Sequence, residues 1–293
     1  MDPAEFLRAS RVVIVAGKGG VGKTTVTAAL ARRAGLLGLR TLIVELDGRS
    51  GLPELFGVPE LGYQPTALAD NVSGRTLTPD DALFEYLEDH GLKRVSRRLV
   101  ATGAMDVVAT AAPGIRDILV LGKVKQLERA DVADLILVDA PAAGHAISFL
   151  LSARGLLDAV RVGPIHTQAA EVLELLTDAT RCSVVLVTLP EETPVNELVE
   201  TAFALEDRVG VSLGPIVVNG LYAELDGLDD DPGDDPEAEA LTAAAAFRRA
   251  RIAQQADQVA RLVDRLPLPL LCLPFVFEAD LGPEHLATLA GHL

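Results

Sequence analysis

Arg11-Val12-Val13-Ile14-Val15-Ala16-Gly17-Lys18-Gly19-Gly20-Val21-Gly22-Lys23-Thr24-Thr25 is the stretch on which the reading of the whole chain turns. The apolar, mostly β-branched run from Val12 to Ala16 suits a strand buried on both faces, and helical periodicity begins after the glycines. Gly17, Gly22, Lys23 and Thr24 satisfy the spacing G-x-x-x-x-G-K-[ST], which predicts a phosphate-binding loop. The backbone of Gly19, Gly20, Val21 and Gly22 can curl around phosphate oxygens, with Thr25 in the first helical turn beside them. Lys23 would reach the β- and γ-phosphates, and the Thr24 hydroxyl suits a magnesium ion. A helix starting here adds the positive end of its dipole.

The chain has 293 residues, enough for one large α/β domain, and 49% are hydrophobic with no tryptophan, which predicts an aliphatic core. The start, Met1-Asp2-Pro3-Ala4-Glu5-Phe6-Leu7, lacks the basic and apolar regions of a signal peptide. No apolar run approaches the ~18 residues of a membrane helix, so the expectation is a cytoplasmic chain without stable membrane insertion. A net charge of −16 opposes non-specific attraction to nucleic acid or anionic lipid. Two basic clusters, Lys93, Arg94, Arg97, Arg98 and Arg248, Arg249, Arg251, read as solvated helix faces. Cys182 and Cys272 form no C-x-x-C pair and, lying in strand-like runs, are expected to be core thiols.

Taken in order, a helix over 23–38 leads to a buried strand, Thr41–Leu46, that delivers Asp47 to the carboxyl edge of the sheet, where open α/β sheets bind ligands. Glu45 is an alternative carboxylate two residues deeper on the same face. Residues 51–70 read as irregular, Asn71–Leu77 as a short strand, and 78–130 as a helical insertion whose apolar stripes are core or a client groove. Leu135-Ile136-Leu137-Val138 ends in Asp139, the arrangement that sets a carboxylate beside magnesium. Gly144 can offer its N–H to the γ-phosphate, and His145 is either a switch residue or the opening of a helix. Helices over 145–160 and 164–179, the strand Cys182–Thr188, a helix containing Glu197 and the strand Ile216–Asn219 follow. Residues 224–239 form an acidic loop expected to be flexible. A helix over 238–264, a strand over Leu270–Leu273 ending at Pro274-Phe275, and a final helix from Pro283 complete the chain. This order predicts a doubly wound, mainly parallel sheet with helices on both faces and a helical insertion.

Lys18-Gly19-Gly20-Val21-Gly22-Lys23-Thr24-Thr25 resembles the deviant Walker A loop of the MinD, ParA and arsenite-pump ATPases. Most of the chain resembles the arsenite-pump and tail-anchored-protein-targeting ATPases of the P-loop class. The resemblance implies a single P-loop ATPase domain over 1–293 that binds ATP and Mg2+ and works as a homodimer or a heterodimer with a homologous ATPase. Lys18 would then reach the partner subunit's phosphates, and Asp47 would orient the attacking water and sit beside the metal. The segment from Asp139 to Gly144-His145 resembles the second switch, and the Thr, Pro and Glu loop after Thr188 the element coupling nucleotide to the helical region. Asn219 would contact adenine, with Pro274 and Phe275 wrapped around it; the guanine-reading Asn/Thr-Lys-x-Asp signature is missing from these strand ends, which favours ATP. Asp47-Gly48-Arg49 replaces the usual Asp-Pro-Ala, and the family's paired cysteines and Met-rich groove are not found. The implied activity is an ATP-hydrolysing dimeric switch serving a protein or anion client. A weakly catalytic subunit of a heterodimer, a positioning ATPase and a small-acid synthetase are the alternatives.

Overall fold

β-Branched and leucine residues in short apolar runs, separated by amphipathic segments, resolve into strands and covering helices in the computed structural model, which describes residues 2–46, 51–89, 114–230, 233 and 237–293. The first half comprises α1 (Pro3–Ala9), β1 (Val12–Gly17), α2 (Lys23–Leu36), β2 (Thr41–Glu45), α3 (Leu52–Phe56), β3 (Thr66–Ala69), β4 (Val72–Thr76) and α4 (Pro79–Asp89). After it come α5 (Ile115–Arg129), β5 (Leu135–Ala142), α6 (Ala143–Ala159), α7 (Pro164–Thr177), β6 (Cys182–Thr188) and α8 (Glu192–Arg208). The chain closes with β7 (Leu213–Leu221), α9 (Ala238–Arg265), β8 (Leu270–Pro274) and α10 (Pro283–Gly291).

The strands form one sheet in the order β3-β4-β2-β5-β1-β6-β7-β8. Every neighbouring pair is parallel except β3 with β4. Strand order reverses around β1, so the loop after β1 opens at a topological switch point, the place where α/β sheets take their ligands. Alternation splits each central strand between two layers. Val12, Ile14, Val44, Ile136, Val138 and Val184 face the layer of α4 to α8, whereas Val13, Val15, Ile43, Leu137, Val185 and Val217 face α1, α2, α3 and α10. Helices therefore cover both faces, as the element order predicts.

Three expectations need correction. Residues 51–70 are not irregular throughout: Leu52, Leu55 and Phe56 bury one side of α3, and Thr66–Ala69 adds the antiparallel edge strand. The strand expected to end at Asp139, β5, runs on to Ala142. Cys182 is buried as expected, with burial pushing its thiol up to about 12, but Cys272 is exposed because β8 is an edge strand with one open face. Of the region 78–130, α4 and α5 pack through Leu83, Leu87, Ile118 and Leu121 into the layer of α6 and α7; residues 90–113, with the first basic cluster, lie outside the described residues, as does part of the acidic loop 224–239.

Leu30 of α2 is fully buried in the layer that α2 shares with α10. Leu30→Ala is expected to cost about 2–5 kcal/mol through the cavity it leaves, read as a lower urea midpoint with unchanged slope; a loss within error would mean that this layer repacks freely.

Candidate functional site

Gly17 ends β1 opposite Val187 on β6 with φ of +155°, and a Cβ there would lie 2.4 Å from the Val187 carbonyl oxygen. Only glycine lets the loop turn away so close to the neighbouring strand. Gly22 caps α2 in the left-handed region, φ +87°, and its missing Cβ leaves room for the Asn219 amide. Asn219 Nδ2 donates to the Val21 carbonyl at 2.9 Å, so the end of β7 braces the loop. Asn219, expected at the adenine, is here seen positioning the phosphate loop, a role that sequence reasoning missed.

Lys23 and Thr24 open α2. Lys23 Nζ donates to the Lys18 carbonyl at 3.1 Å, arching the lysine back over the loop. Desolvation lowers its pKa, opposed by the attraction of Asp139. Thr24 Oγ1 donates to Asp139 Oδ2 at 2.7 Å, and Thr27 Oγ1 reaches Oδ1 at 3.4 Å. Asp139 is buried, and burial pushes its carboxyl above the usual range; the Thr24 hydrogen bond and the Lys23 charge pull the other way, while the Glu45 charge adds to the rise. Thr27 follows Thr24 by three residues, a spacing that puts both hydroxyls on one face and was readable in the sequence.

Magnesium prefers oxygen ligands with most of its shell taken from phosphate and water. The Thr24 hydroxyl and Asp139 carboxylate, already within hydrogen-bonding distance of each other at the mouth of the loop, fit that requirement. Among the described residues no three His, Cys, Asp or Glu side chains converge as a metal cage.

The remaining expected residues fall around this centre. Lys18 Nζ pairs with Glu197 Oε1 of α8 at 2.6 Å, within its own chain. Leu189, Gly220 and Phe275 meet where β6, β7 and β8 end: a Cβ on Gly220 would lie 3.4 Å from Leu189 and 3.7 Å from Phe275. Pro274 closes β8, and Phe275 packs edge-on to Tyr222 and Phe277 at 5.1 and 4.7 Å between ring centroids. Tyr222, absent from the sequence reading, is held by Gln255, which accepts from its N–H and donates to the Gly220 carbonyl. The second basic cluster is no plain solvated face: the Arg248 guanidinium lies 5.3 Å from the Phe277 ring centroid, and Arg251 pairs with Glu191 at 2.9 Å. Gly19, Gly20 and Thr25 fall in the loop and first turn, Gly144 and His145 in the first turn of α6; Asp47 lies outside the described residues.

A glycine loop between a central buried strand and a helix, with a lysine arched over it and a hydroxyl on a buried aspartate, defines a P-loop nucleotide-binding protein. The pattern of the anion-transporting ATPase family matches residues 10–161. ATPase BagA of Mycobacterium tuberculosis is 35% identical over 221 residues, 71% of this chain and 64% of that protein. A Halobacterium salinarum protein provisionally named an arsenical pump-driving ATPase is 28% identical over 300 residues, 94% of this chain and 43% of its own length. ATPase get3 of Schizosaccharomyces japonicus is 28% identical over 140 residues, 47% of this chain and 42% of its own. The chain belongs to the anion-transporting, arsenite-pump ATPase family. It spans about two thirds of the mycobacterial relative's length, 64%, and less than half of the other two, 43% and 42%. No described helix is long and apolar enough to cross a membrane.

The burial of Asp139 generates a pH prediction. Its raised pKa means that the folded state holds this proton more tightly than the unfolded chain does. The stability it contributes is present below the unfolded value of about 3.9 and is lost as pH rises through the raised folded value. Nucleotide-free Asp139→Asn is therefore expected to melt at or above wild type at neutral pH, with the difference shrinking toward pH 4. A difference that grows toward acid would contradict this origin of the shift.

Proposed function

We propose that the chain binds ATP with magnesium, hydrolyses it, and uses the bound nucleotide to govern association with a second subunit, identical or homologous, that serves a protein or anion client. The observation that carries the reading is the Thr24–Asp139 contact at the foot of the phosphate loop, because it brings together the two side chains expected to hold the metal beside the phosphates. Loop amides from Gly17 to Thr25 bind the phosphates, Lys23 neutralises the β- and γ-oxygens, and Thr24 with Asp139 holds magnesium, which when bound offsets charge on the transferring phosphoryl group. Asp47, carried over from the family, orients the attacking water, and the Gly144 N–H reports the γ-phosphate.

Lys18 supplies its charge to the partner subunit's nucleotide, and its bond to Glu197 is the resting position from which it leaves. Both side chains are well exposed, 37% and 43%, so the pair contributes little to stability, on the order of 0–1 kcal/mol. That leaves Lys18 easy to recruit. A second reading, a weakly catalytic subunit of a heterodimer, is favoured by Asp47-Gly48-Arg49 where relatives carry Asp-Pro-Ala.

Lys23→Ala is expected to lose ATP turnover roughly 100-fold or more, as befits a charge poised on the transferring phosphate. Lys18→Ala should retain ATP binding yet lose both turnover and the ATP-dependent dimer seen by light scattering. Wild-type turnover in either variant contradicts the mechanism; turnover of the wild-type chain only when a homologous subunit is added selects the second reading. Glu197→Gln, by freeing Lys18, is expected to lower the ATP-dependent dimerisation midpoint up to about fivefold, the most that an exposed pair of this kind allows. A raised midpoint would mean that Glu197 supports the dimer instead of restraining Lys18.

A further inference from the structure

β7 breaks its register just where it reaches the phosphate loop. Its pairing with β8 steps from Val218–Cys272 to Leu221–Pro274, so Asn219 and Gly220 together oppose the single residue Leu273. Two residues against one is a β-bulge, rare between parallel strands, which re-aims a side chain and leaves backbone groups outside the ladder. On the other side β6 pairs with β7 only as far as Thr188–Val218. Gly220 sits in the bulge with a left-handed φ of +79°, which glycine adopts at no steric cost. The backbone groups set free are met from α9: Gln255 Nε2 donates to the Gly220 carbonyl at 3.0 Å, and Gln255 Oε1 accepts from the Tyr222 N–H at 2.8 Å. Gln255 is only 4% exposed, and Leu262 is the other side chain that α9 buries. A buried amide with both ends bonded to one strand's backbone stands in for the missing sheet partner. The side chain that the bulge aims is Asn219, whose Nδ2 donates to the Val21 carbonyl at 2.9 Å across the gap left by Gly22. Gln255, the bulge, Asn219 and the phosphate loop are thus one continuous series of bonds.

We propose that Gln255 is a positioning residue for nucleotide binding: by holding the β7 bulge it keeps the Asn219 amide on Val21, and so keeps the phosphate loop in the shape that receives the phosphates. This rests on the ATP-binding reading above and adds to it a residue that acts through Asn219 and not on the nucleotide. A preorganised loop binds without first being ordered. Loss of Gln255 is therefore felt in ATP affinity more than in turnover at saturation, and only while Asn219 is there to be positioned.

The test is a double-mutant cycle on the full chain, reading the affinity of a fluorescent ATP analogue with magnesium for wild type, Asn219→Ala, Gln255→Leu and the double variant, each checked by its melting temperature. Asn219→Ala and Gln255→Leu are each expected to weaken binding roughly 3- to 10-fold, the range that a neutral hydrogen bond commands. With Asn219→Ala already in place, Gln255→Leu should change affinity less than about twofold, because nothing is left to position. A purely structural role would instead make the two losses multiply, and that result overturns the assignment while leaving the ATP reading intact. Unchanged affinity in a folded Gln255→Leu overturns it too. If Gln255→Leu does not fold, Gln255→Met, unbranched and of similar length, takes its place in the cycle. Wild-type affinity in Asn219→Ala overturns the assignment whatever the Gln255 variants do. A folded wild-type chain that binds no analogue overturns the ATP reading and this inference with it.

Discussion

A buried aspartate under the first turn of a helix is the constraint on which the rest of the architecture depends. Asp139 ends the apolar core of β5, and Thr24 and Thr27 of α2 close over it. An ionised carboxylate in that position is costly unless hydrogen-bonded or neutralised, and hydroxyl donors with a nearby lysine offset only part of the cost. Burial therefore holds the Asp139 carboxyl above its usual pKa range. A ligand bringing a divalent cation to this carboxylate would offset that cost and so link binding to folding stability.

From there the structure extends the phosphate loop outward by short polar ties. Asn219 braces Val21 from β7, and Lys18 bonds Glu197 on α8. Arg251 and Arg261 of α9 bond Glu191 and Asn196, at the N-terminal end of the same helix, while Gln255 grips the exit of β7. A change in the loop thus has direct mechanical routes to α8 and α9. The Lys18–Glu197 and Arg251–Glu191 pairs lie near the surface and can break and reform at small cost, whereas Gln255 and the aliphatic layers on the two sheet faces are buried.

Much of this was legible in the residues. The run Val12–Ala16 followed by the glycine-lysine-threonine loop specified a strand, a turn and a helix, and the structure has them at Val12–Gly17 and Lys23–Leu36. Asp139 was readable as an acid closing a buried apolar strand, and the structure sets it against the Thr24 and Thr27 hydroxyls of α2. What escaped the sequence depends on partners distant in the chain. Nothing local to Glu197 says that it meets Lys18, and Thr76 carries no sign that it will hold Glu45. The edge position of β8, which exposes Cys272, is a property of sheet order and not of the segment Leu270–Leu273 itself. α3 was missed because Gly51, Pro53 and Gly57 read as breakers, although proline is well placed in a first turn and glycine at a C-cap.

Isothermal titration of the full chain with Mg·ATP addresses the central claim most directly. The account predicts saturable heat at one nucleotide per chain, weakened when magnesium is chelated, and lost when Gly22→Ala pushes a methyl group into the Asn219 amide. Absence of heat from a demonstrably folded chain would contradict it.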